Sequence, residues 1–393
     1  MWGVRERFER RGVATMQESM HAAGRFWHSG ETGGVDKAKT LKITANMVTI
    51  LRIVLMPIPG YLLYGGEGSL LVALLLTILL GLTDLLDGIM ARREGTSVLG
   101  GLLDPIADKI FIAVIYLPLT DRGIFPVWLT AAMFARDFAV TTLRSSLSLR
   151  DAPMRTATLA KYKTAIQMTG VGYIILFLAY AGRPDAFLVW LAITAPIVLP
   201  LGLILYRAIR GRKQGPRSIT MLALTAGCWI SRWFLGPDVT TIVMSYIIAA
   251  LTVVSGFSYF SDAWSSLKNS PGRGAEIFRF AVEGVLVPVI FVSIFYFYHT
   301  AFISTAVIIV ITLELSAGGL GNLLASRKIE ISLGRSATKS VLQVIAGATA
   351  IAVAIAGVSE TAGAASIAVA LAVTAAWSIF LFVRYRDVYL SAV

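Results

Sequence analysis

Cysteine is almost absent from this sequence: Cys228 is the only one among 393 residues. One cysteine excludes a disulfide framework and a thiolate metal site. Histidine is nearly as scarce, with three residues, His21, His28 and His299, all outside the apolar runs described below. Imidazole ligation inside those runs is therefore excluded too. Charge is thin as well, at 15% of residues, and it is lopsided, with 35 Lys and Arg against 23 Asp and Glu and a net charge of +12.

What is abundant is oil. Hydrophobic residues make up 56% of the chain, and the mean hydropathy is +0.74. Runs long enough to cross ~30 Å of hydrocarbon recur from residue 44 almost to the end. The pattern predicts an all-α polytopic membrane protein with about twelve transmembrane helices. They fall near 44–64, 69–92, 104–120, 126–145, 164–182 and 186–207, and then near 218–236, 239–263, 279–298, 301–325, 339–358 and 362–384. Loops beginning at Arg92, Arg144, Arg207, Lys268 and Arg327, with the tail "RYRDVYLSAV", carry nearly all the loop cations. The alternate loops "GGEG", "GPD" and "SETAG" carry almost none, with Arg122 and Arg183 as the exceptions. The basic side is expected to be cytoplasmic, which puts both termini on that face of an inner (cytoplasmic) membrane.

The positive charge is thus mainly a topology signal that also attracts anionic lipids, and no nucleic-acid partner is expected because no basic groove or recognition helix is present. Residues 1–43 hold eight Lys or Arg and no signal-like apolar core. Trp2, Phe8, Met16, Met20, Phe26 and Trp27 among those cations suggest a cytoplasmic segment with an interfacial amphipathic helix.

One stretch breaks the oil: "TDLLDGIMARREGTSVLGGLLDPIADKI", residues 83–110. Asp84, Asp87, Gly88 and Ala91 recur at spacings of three and four, so they share one helix face, and Asp104 and Asp108 share a face of the next helix. A short cytoplasmic loop makes those helices neighbours. Four carboxylates that close would repel one another unless a cation sat between them. All the ligands on offer are oxygens, which points to a hard divalent ion, Mg²⁺ or Mn²⁺. Gly88 and Ala91 leave the face flat enough for a nucleotide diphosphate to approach, and Arg92 can meet its charge.

The pattern D-x2-D-G-x2-A-R-x7-G-x3-D-x3-D, met by Asp84, Asp87, Gly88, Ala91, Arg92, Gly100, Asp104 and Asp108, resembles the signature of the CDP-alcohol phosphotransferases. The resemblance implies two divalent ions held by Asp84, Asp87, Asp104 and Asp108, with Asp108 also the general base. It further implies that Gly88, Ala91 and Arg92, with Asn46 and Thr49, bind the CDP moiety of CDP-diacylglycerol. The implied reaction is attack by an alcohol oxygen on the β-phosphorus, with CMP leaving. "NMVTILRIVLMP" from Asn46, "ARDFAVTTLR" ending at Arg144 and "AKYKTAIQM" around Lys161 and Lys163 resemble the phosphatidylglycerophosphate synthase branch. That branch uses a small phosphorylated alcohol, sn-glycerol 3-phosphate, and Arg144, Lys161 and Lys163 would bind its phosphate. Arg136 and Asp137 are expected to pair locally. Another member of the family, making cardiolipin, phosphatidylinositol phosphate or phosphatidylserine, is the alternative within the class, and a twelve-helix transporter is the alternative outside it.

Sliding the chain against itself adds a second expectation. At an offset of 175, "LGLTDLLDGI" from Leu80 lies on "SGFSYFSDAW" from Ser255, and "LDPIADKIFIAVIYL" from Leu103 lies on "FRFAVEGVLVPVIFV" from Phe278. Lys163 and Gln167 fall on Lys339 and Gln343, and Asp137 falls on Glu314, at offsets of 176 and 177. Residues 44–213 are expected to be a catalytic six-helix unit, and residues 214–393 a degenerate, non-catalytic repeat that acts as an internal pseudo-dimer partner. In the second copy Tyr259, Arg279 and Glu283 stand where Asp84, Asp104 and Asp108 stand in the first, and only Asp262 keeps its carboxylate, at the position of Asp87.

Overall fold

The computed structural model describes residues 44–94, 97–150, 158–182, 187–211, 216–268 and 273–390. The interfacial helix expected within residues 1–43 lies outside them. Every regular element among the described residues is helical, and the described residues from Thr44 onward pack as one compact unit.

Local chemistry sets the helix ends. Helix α1 (Ala45–Leu55) starts where Thr44 turns its hydroxyl back to accept from the Met47 N–H at 3.4 Å. It hands over at Met56 to α2 (Pro57–Leu62), whose proline needs no N–H partner in the first turn. Helix α3 (Glu67–Glu94) carries the first half of the aspartate signature and α4 (Val98–Asp121) the second. Ser97 caps α4, accepting from Gly100 N–H at 2.9 Å. Helices α5 (Val127–Leu149), α6 (Thr158–Ala179) and α7 (Phe187–Ile209) follow.

Element α8 (Pro216–Lys268) consists of two helices that meet at a kink, where the sequence predicts separate helices near 218–236 and 239–263. They are joined through a single residue, Gly236, at φ 79° and ψ 174°. Only glycine takes that conformation at no steric cost, so Gly236 followed by Pro237 makes a sharp break between the two helices at the "GPD" stretch.

The chain continues through α9 (Arg273–Arg279), a π-helical turn (Phe280–Leu286), α10 (Val287–Ser293), a 3-10 turn (Ile294–Tyr296), α11 (Ala301–Ser326), α12 (Leu333–Ile355), α13 (Glu360–Arg384) and α14 (Arg386–Leu390). The core is centred on α4, whose residues Ile110 to Thr120 are all buried. Helix α4 packs on α1 and α11, and α5 packs on α8, α11, α10 and the π-helical turn.

Among the described residues seven segments are long and apolar enough to cross a membrane: Ala45–Leu62, Glu67–Gly88, Thr225–Phe257, Gly274–Tyr296, Ala301–Ser326, Gly334–Ile355 and Glu360–Arg384. Helices α4 and α5 are not among them. They carry Asp104, Asp108, Lys109 and Asp121, and Arg136, Asp137 and Arg144, which lower their apolarity. Charged helices of this kind are tolerated in a membrane protein where they face the bundle interior. The outer helices do the reverse: Leu75, Ile78, Leu79, Leu82 and Leu86 form an exposed apolar stripe along α3. A stripe at that spacing suits hydrocarbon, not water.

Candidate active site

Asn46, Thr49 and Arg52 recur every third residue of α1 and so point the same way. Thr49 and Arg52 are 1% and 3% exposed. Arg52 forms an ion pair with Asp84 of α3, and its Nη2 lies 3.8 Å from Asp87 Oδ2. The Thr49 hydroxyl sits between the two acidic helices, 3.0 Å from Asp87 Oδ2 on α3 and 3.4 Å from Asp104 Oδ1 on α4. It has a single proton, so these carboxylates compete for one donor. Helix α1 is therefore the wedge that sets the distance between the two halves of the signature.

The signature glycine after the loop has a steric reason. A Cβ on Gly100 would fall 2.8 Å from Asn46 Oδ1 and 3.1 Å from Ser97 Oγ. Those two atoms are themselves hydrogen bonded, Ser97 donating to Asn46 at 3.0 Å. The bare α4 start lets α1 approach, and beside it opens a cavity of about 330 Å³ whose walls include Asn46, Thr49, Asp87, Ala91, Gly100 and Asp104. Its size is in the range of small-molecule sites.

Asp108 lies one turn beyond Asp104, and its Oδ1 is buried with no hydrogen-bond partner among the described residues. An orphaned carboxylate oxygen beside three more carboxylates is a donor set of hard oxygens, in kind and number suited to a divalent ion. As they stand, no three acidic, His or Cys side chains among the described residues are close enough to hold one ion. Arg52 is the cation that Asp84 and Asp87 share.

The cations expected from the sequence to meet the acceptor divide. Lys163 on α6 is 9% exposed and paired with Asp137 of α5. Arg136 also reaches Asp137, at 2.8 Å, so the expected local pairing of Arg136 and Asp137 is present. Arg144 is exposed at the α5 end. The side chains of Lys161 and Arg92 lie outside the described residues. Gly88 and Ala91 are half-buried on the α3 face.

Two residues escaped the sequence reading. Arg52 was visible as a lone cation six residues after Asn46 in an otherwise apolar helix. Lys109 directly follows Asp108, and its ammonium donates to Thr141 Oγ1 at 2.6 Å. Lys109 is half-buried, and no carboxylate among the described residues is within ion-pair distance of it. The signal was a lysine in the run "ADKIFIAV".

The family match covers the residues of this site. The family model for CDP-alcohol phosphatidyltransferase matches residues 42–206. A probable phosphatidylglycerophosphate synthase of Mycobacterium tuberculosis is 31% identical over 151 residues, 37% of this chain and 72% of the relative. The chain belongs to the CDP-alcohol phosphatidyltransferase family. A Rickettsia bellii CDP-diacylglycerol--glycerol-3-phosphate 3-phosphatidyltransferase is 30% identical over 156 residues, 39% of this chain and 83% of the relative. Human cardiolipin synthase (CMP-forming) is 42% identical over 119 residues, 30% of this chain, and the match spans only 38% of that relative's length. No solved structure matches the chain.

Proposed function

We propose that this chain transfers a phosphatidyl group from CDP-diacylglycerol to an alcohol, releasing CMP, with sn-glycerol 3-phosphate as the acceptor. The observation that carries the reading is the meeting of Asp84, Asp87 and Asp104 around Thr49 and Arg52 beside a cavity lined by Asn46, Ala91 and Gly100.

Asp84, Asp87, Asp104 and Asp108 would hold two divalent cations, Mg²⁺ or Mn²⁺. Bound there, such ions supply neutralisation of the diphosphate and of the charge that develops on departing CMP. The chain's own residues do the rest. Asn46, Thr49, Gly88, Ala91 and Arg92 face the CDP moiety, with the small residues admitting the nucleotide close to the helix backbone. Asp108 takes the acceptor's hydroxyl proton as the alcohol oxygen bonds to the β-phosphorus and the bond from that phosphorus to the CMP oxygen breaks. The unpartnered Asp108 Oδ1 leaves a lone pair free for that proton. Arg144, Lys161 and Lys163, joined by Lys109, supply the positive potential that a phosphate dianion seeks. The site lies at the cytoplasmic edge of the membrane, where CDP and a soluble acceptor both have access.

The resemblance to cardiolipin synthases favours a second acceptor, phosphatidylglycerol. Mass spectrometry of the lipid product, with both acceptors offered to the purified chain, separates the two. Phosphatidylglycerophosphate supports the first reading, and cardiolipin alone replaces it with the second.

Residues 214–393 are read as the degenerate copy and internal partner within a twelve-helix plan. Support comes from paired elements: α6 and α12 begin at Thr158 and Leu333, and α5 and α11 at Val127 and Ala301. Each pair also carries the same buried set. Lys163 bonds Asp137 in the first half, and Lys339 bonds Glu314 at 2.7 Å in the second. Gln167 and Gln343 each lie one turn beyond the lysine and bond a threonine, Thr252 at 3.1 Å and Thr374 at 2.6 Å. The packing of α4 on α11 and of α5 on the π-helical turn and α10 is reciprocal, as a two-fold relation requires. In the second copy Arg279 pairs with Glu283 at 2.9 Å, so the position equivalent to Asp104 supplies its own cation.

A further inference from the structure

One face of α8 runs along the catalytic unit at the acid-lysine cluster. Ile248, Thr252, Gly256 and Tyr259 recur at spacings of four, four and three and share that face. Opposite them on α6 lie Lys163, Gln167 and Gly170, also at helical spacing. A Cβ on Gly170 would fall 2.5 Å from Ile248 Cδ1, and Gln167 donates to Thr252 at 3.1 Å. Next along the face comes Arg136 of α5. A Cβ on Gly256 would fall 2.7 Å from Arg136 Cγ and 3.3 Å from its Nε. The Arg136 guanidinium carbon lies 5.5 Å from the centroid of the Tyr259 ring, and that ring is only 2% exposed. Arg136 Nε and Nη2 are buried with no hydrogen-bond partner among the described residues, while Nη1 bonds Asp137. The ring face is therefore what the far side of the guanidinium meets, and a cation over an aromatic face in a dry site is held firmly.

We infer that Tyr259 and Gly256 of the second half position Arg136, and through it Asp137 and Lys163, so that the second half sets how the acceptor is bound. This rests on the acceptor reading given above. Arg136 and Lys163 share the charge of Asp137. While Arg136 is seated, Lys163 is only partly neutralised, and its remaining positive charge faces the acceptor phosphate. Without the seat, Arg136 turns away, Asp137 pairs wholly with Lys163, and the acceptor loses that attraction. In the repeat alignment Tyr259 and Gly256 occupy the positions of Asp84 and Gly81. The face that carries the aspartates in the first copy is thus used in the second to hold the first copy's cations. Tyr259 is a positioning residue: it touches neither substrate.

The test is steady-state kinetics of the full-length chain in detergent, with Tyr259→Leu and Tyr259→Phe compared with wild type for both substrates and by thermal melting. Tyr259→Leu is expected to raise the acceptor KM by about 3- to 10-fold, the range a lost cation–aromatic contact gives, with the CDP-lipid KM within about 2-fold. Tyr259→Phe keeps the ring and is expected to restore the wild-type acceptor KM. Equal changes in both KM values, a fall in kcat that follows a lower melting temperature, a Phe variant no better than Leu, or a Leu variant that matches wild type would each overturn the inference. A wild-type chain that releases no CMP with any acceptor would overturn the functional reading and take the inference with it. An active wild type with an unaffected Leu variant would overturn the inference alone.

Discussion

Arg52 on α1 is ion-paired to Asp84 on α3, and Asp87 lies 3.8 Å from the same guanidinium. Its side chain is 2% exposed, against 38% for Asp84. Removing Arg52 leaves carboxylates facing one another with no protein cation between them. Arg52→Ala is expected to destabilise the fold by up to about 3 kcal/mol, less than a fully buried pair because Asp84 is partly in solvent. Added Mg²⁺ should recover much of that loss, and it should stabilise the variant more than wild type. Melting curves with and without Mg²⁺ check this; an equal Mg²⁺ effect on both would contradict it.

Asp108→Asn keeps the shape of the side chain and removes both the base and the negative charge. CMP release is expected to fall by about 100-fold or more, in the range general-base removal gives, with the melting temperature close to wild type. Near-normal turnover by the variant would refute Asp108 as the base.

Gly100→Ala places a methyl 2.8 Å from Asn46 Oδ1, where the Ser97 hydrogen bond already holds that oxygen. Helix α1 must shift, which costs about 1–3 kcal/mol and deforms the cavity on the nucleotide side. The expected signature is a higher KM for CDP-diacylglycerol with the acceptor KM little changed. The reverse pattern would place the cavity on the acceptor side.

Lys109→Met and Arg144→Ala each remove a cation that has no carboxylate within ion-pair distance among the described residues. Either change is expected to raise the acceptor KM by about 10-fold, the loss of a charge-assisted contact of about 1.5 kcal/mol. Kinetics with glycerol 3-phosphate as the varied substrate decide it, and an unchanged KM in both variants would remove these residues from the acceptor site.

The sequence made some features legible and hid others for physical reasons. Aspartates inside apolar helices announce themselves because hydrocarbon tolerates few charges, and the spacing of Asp84 and Asp87, and of Asp104 and Asp108, assigns each pair to one face of its helix. Their immediate company was not legible. Arg52 reads in sequence as one cation among many, and only the packing of α1 between α3 and α4 brings it to the acids. Lys163 read as an acceptor ligand because it sits near a helix end, yet its partner Asp137 lies on another helix, where no local rule finds it. The break that divides α8 into two helices was legible because "GPD" is turn chemistry. The turn is one glycine wide, and helical geometry resumes at once. Hydropathy was the least decisive guide at the centre of the bundle, because α4 and α5 carry Asp104, Asp108, Lys109, Arg136 and Asp137.

Asp87→Asn and Asp262→Asn form a matched pair across the proposed repeat. The first is expected to abolish turnover and the second to leave it within a few-fold of wild type. Loss of activity in both would contradict a silent second copy.

The most direct measurement of the central claim is CMP release by the purified chain given CDP-diacylglycerol, Mg²⁺ and glycerol 3-phosphate. The account predicts CMP formed one for one with a phosphatidylated acceptor, dependent on the divalent ion and absent in Asp87→Asn. CMP release that persists in Asp87→Asn, or none from the folded wild type with any alcohol offered, would contradict it.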